Sequence, residues 1–156
     1  MVSPELLRRY PFFGSLNDAQ IKSMAMIAEE ESVAKGTILC EEGQPANVFF
    51  LLLAGSASLY YKSGEEYQPK TRKDFLVGEI NPGEIFAISA LVEPYIYTAT
   101  VRAEKASRVL KFDSKALNSL TEKDLRLYSL LMREIIKAAM ERLGFARVQL
   151  AAARAK

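Results

Sequence analysis

Histidine is missing from this sequence of 156 residues, and cysteine occurs once. Without imidazole the chain cannot assemble a Ser/His/Asp triad, a Cys/His pair, a histidine-ligated haem or the histidine-rich metal sites of enzymatic jelly rolls. Its single thiol, Cys40, excludes an internal disulfide and any multi-thiolate metal site. Cys40 sits in the apolar run TILC and reads as a core thiol without a chemical role. No apolar run approaches the roughly 18 residues that span a bilayer, and the start MVSPELLRRY lacks the apolar stretch of a secretion signal. These absences point to a cytoplasmic protein that is not an enzyme, with no catalytic or metal-ligating residues and no membrane partner. Charge of one sign is scarce too: a net charge of +2 predicts no polyanion partner. What remains is 49% apolar and 26% charged, enough to bury a core.

Three blocks follow one another without a low-complexity linker or a repeat: an N-terminal helical part to about Glu30, a β-rich middle from about Val33 to Phe112, and a helical tail. Asn17 before AQIKSMAMIAEE, with Gln20 three positions on, has the reciprocal pattern of a capped helix start. Ile21, Met24, Ala25 and Ala28 share its apolar face. The middle is a series of short β-type runs, VAKGTILC, NVFFLLLAG, SASLYY, KDFLVGEI, YTATVRA and SRVLKFD. Turn signals separate them at Gly36, around Gly43 and Pro45, at Gly55, around Gly64, and around Pro82 and Gly83. No helix long enough for a parallel crossover intervenes, so an antiparallel roll is expected. The fold class is mainly β with flanking helices, an antiparallel β-roll or jelly roll. Residues 1–113 form its N-terminal helices and roll, and 114–156 a C-terminal helix pair of the same domain.

In the tail, Leu125, Tyr128, Met132, Ile135 and Ala139 keep a heptad-like spacing, while Leu127, Leu130, Leu131 and Ala138 make a second apolar face. Two faces need two partners. The roll supplies one, and the same helix of a second subunit the other, which predicts a homodimer. Past Gly144 the pattern degrades into the alanine-rich, basic FARVQLAAARAK.

The order FFGSL, capped helix, AKGTILCEEGQPANVFFLLLAGSASLY, NPGEIFAISALVEPYIYTATVRA and a final helix pair resembles the cyclic-nucleotide-binding domain of the catabolite activator protein family over about residues 6 to 140. Gly36, Gly43, Gly55 and Gly83 stand at the family's glycine positions. In that family a cassette of the form FGELALL, a short loop and RTATV holds the ligand. Its short helix presents backbone amides to the cyclic phosphate, an arginine binds the phosphate, and a glutamate accepts from the ribose hydroxyl. The resemblance matches the helix to Phe86–Val92 and the strand start to Tyr97–Val101. Ile88 then stands at the glutamate position and Tyr97 at the arginine position, with Ala87 for the glycine and Ser89 for an apolar residue. The implied pocket comprises Gly83, Glu84, Phe86, Ala87, Ile88, Ser89, Ala90, Tyr97, Thr98 and Ala99.

Losing the two charged contacts weakens cyclic nucleotide binding by about 3 to 8 kcal/mol, or about two to six decades. Lys70, Arg72 and Lys73 precede the cassette and read as a solvated strand edge, and Arg102 as water-facing. Glu41, Glu42, Glu65 and Glu66 fall in turn-rich segments and read as solvated surface rather than a metal cluster. The resemblance therefore implies a regulatory or sensor protein that dimerises through its long helix, with no cofactor and no usual cyclic AMP or GMP binding. Tyr95 and Tyr97 would fill the pocket or stack on a less charged small-molecule effector. Two alternatives stay open: an atypical or weak cyclic nucleotide binder, and an interaction or scaffold subunit, with a protein partner, whose pocket is occluded. The family's transcription factors carry a helix-turn-helix after the long helix, and the roughly 12 residues following Gly144 are too few for one, so no DNA binding by this chain alone is expected.

Overall fold

A computed structural model describes residues 1–63 and 73–155, with Ser63 and Lys73 as backbone only. Gly64, Glu65, Glu66, Lys70 and Arg72 lie outside the described residues, as does the side chain of Lys73.

An N-terminal segment of α1 (Pro4–Arg8), a 3-10 turn (Pro11–Phe13) and α2 (Asp18–Ile27) leads into eight strands. These are β1 (Ala28–Val33), β2 (Ile38–Cys40), β3 (Val48–Ala54), β4 (Ala57–Ser63), β5 (Lys73–Ile80), β6 (Ile85–Phe86), β7 (Thr100–Ala103) and β8 (Ser107–Asp113). A second 3-10 turn, Ile88–Leu91, follows β6, and α3 (Ser114–Lys123) and α4 (Leu125–Arg154) close the chain. The strands form two antiparallel sheets of order β1-β8-β3-β6 and β2-β7-β4-β5, the jelly-roll arrangement expected.

The start of α2 is set by its cap. Asn17 Oδ1 accepts the Gln20 amide at 2.8 Å, and Gln20 Oε1 accepts the Asn17 amide at 2.9 Å. Gln20 Nε2 also donates to Asp124 at 3.2 Å, fixing α2 to the α3–α4 junction. Asp124 in turn caps α4 by accepting from the Leu127 amide at 3.0 Å, which holds its carboxyl below the usual range.

Two boundaries differ from expectation. The helical part ends at Ile27, not near Glu30, and Ala28 begins a strand. AEEESV pairs along β8, where Arg108 meets Glu30 at 3.3 Å and Lys111 meets Glu31 at 2.9 Å, so cross-strand charge supports a segment of poor intrinsic strand preference. At the other end α4 does not fray past Gly144 but runs on to Arg154.

β3 lies inside its sheet and is apolar on both faces. On one side Phe49 joins Phe12, Phe13 and Phe112 beneath the N-terminal segment. On the other Phe50 stacks on Phe86 with centroids 4.8 Å apart, seating the cassette on the sheet. Gly55, at φ 102°, ends this strand, and a Cβ there would stand 2.1 Å from Ser107 Oγ. No helix among the described residues is long and apolar enough to cross a membrane.

Candidate functional site

The cassette opens on the turn at Gly83, whose amide donates to Leu52 O at 2.7 Å while Glu84 O accepts from the Leu52 amide at 3.0 Å. The carboxylate of Glu84 accepts the Asn81 amide at 2.7 Å and so stabilises the turn itself. Phe86 ends β6, buried. Ala87 then adopts φ 61° and ψ 41°, the left-handed conformation that glycine takes freely and an alanine enters at a cost of about 1–2 kcal/mol. This left-handed residue prevents the expected helix over Phe86–Val92, leaving a 3-10 turn over Ile88–Leu91. Ala90 is buried in that turn, Ile88 packs against the core, and Ser89 is half-buried.

The following loop is tied to the 43–46 segment by backbone bonds. Gly43 N donates to Tyr97 O at 2.9 Å, Tyr97 N to Gln44 O at 3.0 Å, and Ala46 N to Tyr95 O at 2.8 Å. Tyr95 is exposed, also at positive φ, 59°. Thr98 is exposed and Ala99 half-buried, and β7 begins only at Thr100, later than the expected Tyr97.

Tyr97 is the residue that decides the character of the site. Its side chain is only 8% exposed, and its hydroxyl donates to Val48 O at 2.8 Å and accepts from Val48 N at 3.2 Å. β6 pairs only with Phe50 and Leu51, so the start of β3 lacks a strand neighbour on that side, and the phenol takes the neighbour's place. Burial pushes its pKa up, keeping it a neutral donor. Both hydrogen-bonding capacities of the hydroxyl are thus directed into the protein fabric. Neither Ile88 nor Tyr97 offers a charge.

A charge reaches the cassette strand from a base that the sequence does not single out. Arg142, on α4, donates a guanidinium N–H to the carbonyl of Ile85, two residues before Ala87. Its surroundings are desolvated, which lowers its pKa, and Glu84, Glu141 and Cys40 lie near enough to be felt electrostatically. The sequence offered little signal for this: Arg142 and Ile85 are 57 residues apart. Beside Arg142 lies a cavity of about 410 Å³ between α4, the β5–β6 turn and the N-terminal segment, with Phe12, Gly78, Glu84, Ile85, Glu141 and Phe145 in its wall. A smaller one of about 120 Å³, on the outer face of β4 and β7, is walled by Tyr60, Lys62 and Arg102 among others. Arg102 there covers the Tyr60 ring at 4.3 Å from its centroid instead of simply facing water. Neither cavity is lined by the Ala87–Ala90 turn or by Tyr97.

Cys40 is buried, its thiol pushed up to about 12 by desolvation, in keeping with a core role. Among the described residues no cluster of His, Cys, Asp or Glu could hold a metal ion.

The residues expected to form a dimer surface divide. Leu125 is 75% exposed, Tyr128 and Ala139 are exposed, and Met132 is half-buried. Ile135, in contrast, is 4% exposed and belongs to the core, because it shares the face of Leu127 and Leu131 that packs on the roll. The exposed stripe instead continues through Ile136, Met140 and Leu143 at intervals of three and four residues.

Comparison with curated proteins gives no match to this sequence. The cyclic nucleotide-binding domain model matches residues 30–124. Among solved structures, the chain is 36% identical to a provisionally assigned cyclic nucleotide-binding protein from Geobacter metallireducens GS-15, with TM-score 0.79 over 92% of this chain and 99% of that one. The sensor domain of the transcriptional regulator DNR from Pseudomonas aeruginosa is 20% identical, with TM-score 0.69 and 90% of each chain covered. The regulatory subunit of a cAMP-independent protein kinase A from Trypanosoma brucei is 13% identical, with TM-score 0.72 over 95% of this chain and 49% of that one. The last two likenesses concern the fold alone. With the family's sequence pattern covering most of the chain and a jelly roll that carries its cassette between β6 and β7, the chain belongs to the cyclic nucleotide-binding domain family, a family of regulatory and sensor domains.

Proposed function

We propose that this protein is a regulatory sensor module that does not take cyclic AMP or cyclic GMP in the family's usual way and that acts as a homodimer through α4. The observation that carries the reading is the Tyr97 hydroxyl, bonded twice to the Val48 backbone where an arginine would meet the phosphate. Ile88 removes the ribose acceptor, and within the turn the Ala90 amide is already spent on Ala87 O at 3.1 Å. The Trypanosoma brucei relative is named as cAMP-independent, so this fold serves regulation without that ligand in at least one protein.

The dimer reading rests on the stripe from Leu125 to Leu143, which the roll leaves uncovered. Signalling would run through α4, whose one face carries Arg142 to the cassette strand while the opposite face carries that stripe. α3 and the first part of α4 pack on the roll, and we read the output as a protein partner. We place the module in the cytoplasm because its single cysteine allows no internal disulfide. The closed berth also suits a purely structural interaction subunit, and ligand response separates the two.

Calorimetric titration with cyclic AMP and cyclic GMP tests the ligand claim. Heats that fail to saturate below the millimolar range support it, and saturable binding tighter than about 10 micromolar sinks it.

A further inference from the structure

The cavity beside Arg142 has the size of a small-molecule site, at about 410 Å³ within a usual span of about 300–1,000 Å³. Its charges are unevenly satisfied. Two cations, Lys137 and Arg142, face four carboxylates, Glu79, Glu84, Glu134 and Glu141. Lys137 pairs with Glu134 at 3.3 Å, and Glu84 is engaged by the Asn81 amide. The Arg142 guanidinium meets a backbone carbonyl, and among the described residues no carboxylate lies within 4.0 Å of it. Glu79 and Glu141 have no ion-pair or hydrogen-bond partner among the described residues. The rest of the wall is mainly apolar, with Phe12, Ala138 and Phe145.

A simple anion would face the surplus of carboxylates, and a simple cation would face Arg142. A molecule carrying both signs two bonds apart meets neither objection. We infer that this cavity binds a small zwitterion, an α-amino acid with an apolar or aromatic side chain. Its carboxylate takes the Arg142 guanidinium in place of the Ile85 carbonyl, its ammonium lies toward Glu141 and Glu79, and its side chain lies against Phe12 and Phe145. A cyclic nucleotide, an anion without an ammonium group, is disfavoured in the same cavity. Exchange of the Ile85 carbonyl for ligand loosens the link between α4 and the cassette strand, which is how occupancy would reach the dimer stripe. The inference rests on the sensor reading above for its consequence, and on the cavity alone for its ligand.

The experiment is calorimetric titration of the full chain with L-phenylalanine and L-leucine. It is repeated with N-acetyl-L-phenylalanine, which lacks the ammonium, and with L-phenylalanine methyl ester, which lacks the carboxylate. Expected are saturable binding of at least one amino acid and a loss of about tenfold to a hundredfold for each blocked form and for Arg142→Gln. The inference is overturned if neither amino acid saturates by about 10 mM, if either blocked form binds as tightly as the parent, or if a folded Arg142→Gln variant binds like the unaltered chain. Should that variant fail to fold, the blocked ligands decide on the unaltered chain. Cyclic AMP titrated in parallel against the unaltered chain and a folded Arg142→Gln variant keeps the cassette claim separate: binding that the substitution leaves unchanged would defeat that claim without touching this one.

Discussion

Tyr97→Phe removes one oxygen and leaves the ring. The ring keeps its burial, so the change isolates the two bonds to Val48, 2.8 Å to its carbonyl and 3.2 Å from its amide. Both partners belong to the backbone at the start of β3, where β6 does not reach. Leaving such groups unpaired costs about 1–3 kcal/mol. A central value of about 2 kcal/mol lowers the melting temperature by about 4–8 °C for a chain of this size. The assay is thermal unfolding by circular dichroism, with hydrogen exchange at the Val48 amide read in parallel. The variant should melt lower, exchange Val48 faster, and still not bind cyclic AMP, because deleting a hydroxyl restores no charge. A melting temperature within about 1 °C of the parent, with unchanged protection at Val48, would show that the phenol is a passenger and that the berth is not closed by it.

The remaining expectations concern the helix and the thiol. Ile136→Glu together with Met140→Glu places four carboxylates in the proposed twofold interface and removes apolar residues that are 57% and 66% exposed in the single chain. Light scattering should show dimer for the parent and monomer for the variant, with no loss of helical signal; a monomeric parent removes the dimer from the account. Cys40, at about 12 against an unfolded value near 9, holds its proton in the fold where the unfolded chain releases it. Its stabilising effect is therefore complete below about pH 9 and falls by up to about 1.4 kcal/mol per pH unit above that, through pH 12. In the folded protein at pH 8 an aromatic disulfide reagent should leave the thiol untouched, and rapid labelling would place Cys40 outside the core.

How much of this was legible in the sequence depends on where each interaction lies along the chain. β5 and β8 fall on the expected runs KDFLVGEI and SRVLKFD, because turns bound apolar runs there. The start of α2 was legible because Asn17 and Gln20 carry their cap within three residues. β1 was not, since nothing local marks AEEESV as a strand; its support comes from Arg108 and Lys111, nearly eighty residues on. The sequence predicts a longer helix at the cassette turn, because the left-handed backbone at Ala87 is imposed by the fold around it and an alanine does not announce it. Tyr97 was singled out by position, but its bond to Val48 spans 49 residues and belongs to the fold. Arg142 carries no local signal for the same reason. Between Glu141 and Leu143 it looks like any cation on a solvated helix, and only the approach of α4 to Ile85 gives it a role.

The central claim is that the cassette is closed to a cyclic phosphate by Tyr97, and amide NMR follows it at the residues concerned. In a titration of the full chain with cyclic AMP, the amide signals of Val48, Ile88, Ser89 and Thr98 should hold their positions up to about millimolar ligand. Saturating shifts at Ser89 and Thr98, accompanied by faster exchange at Val48 as the phenol swings away, would contradict it.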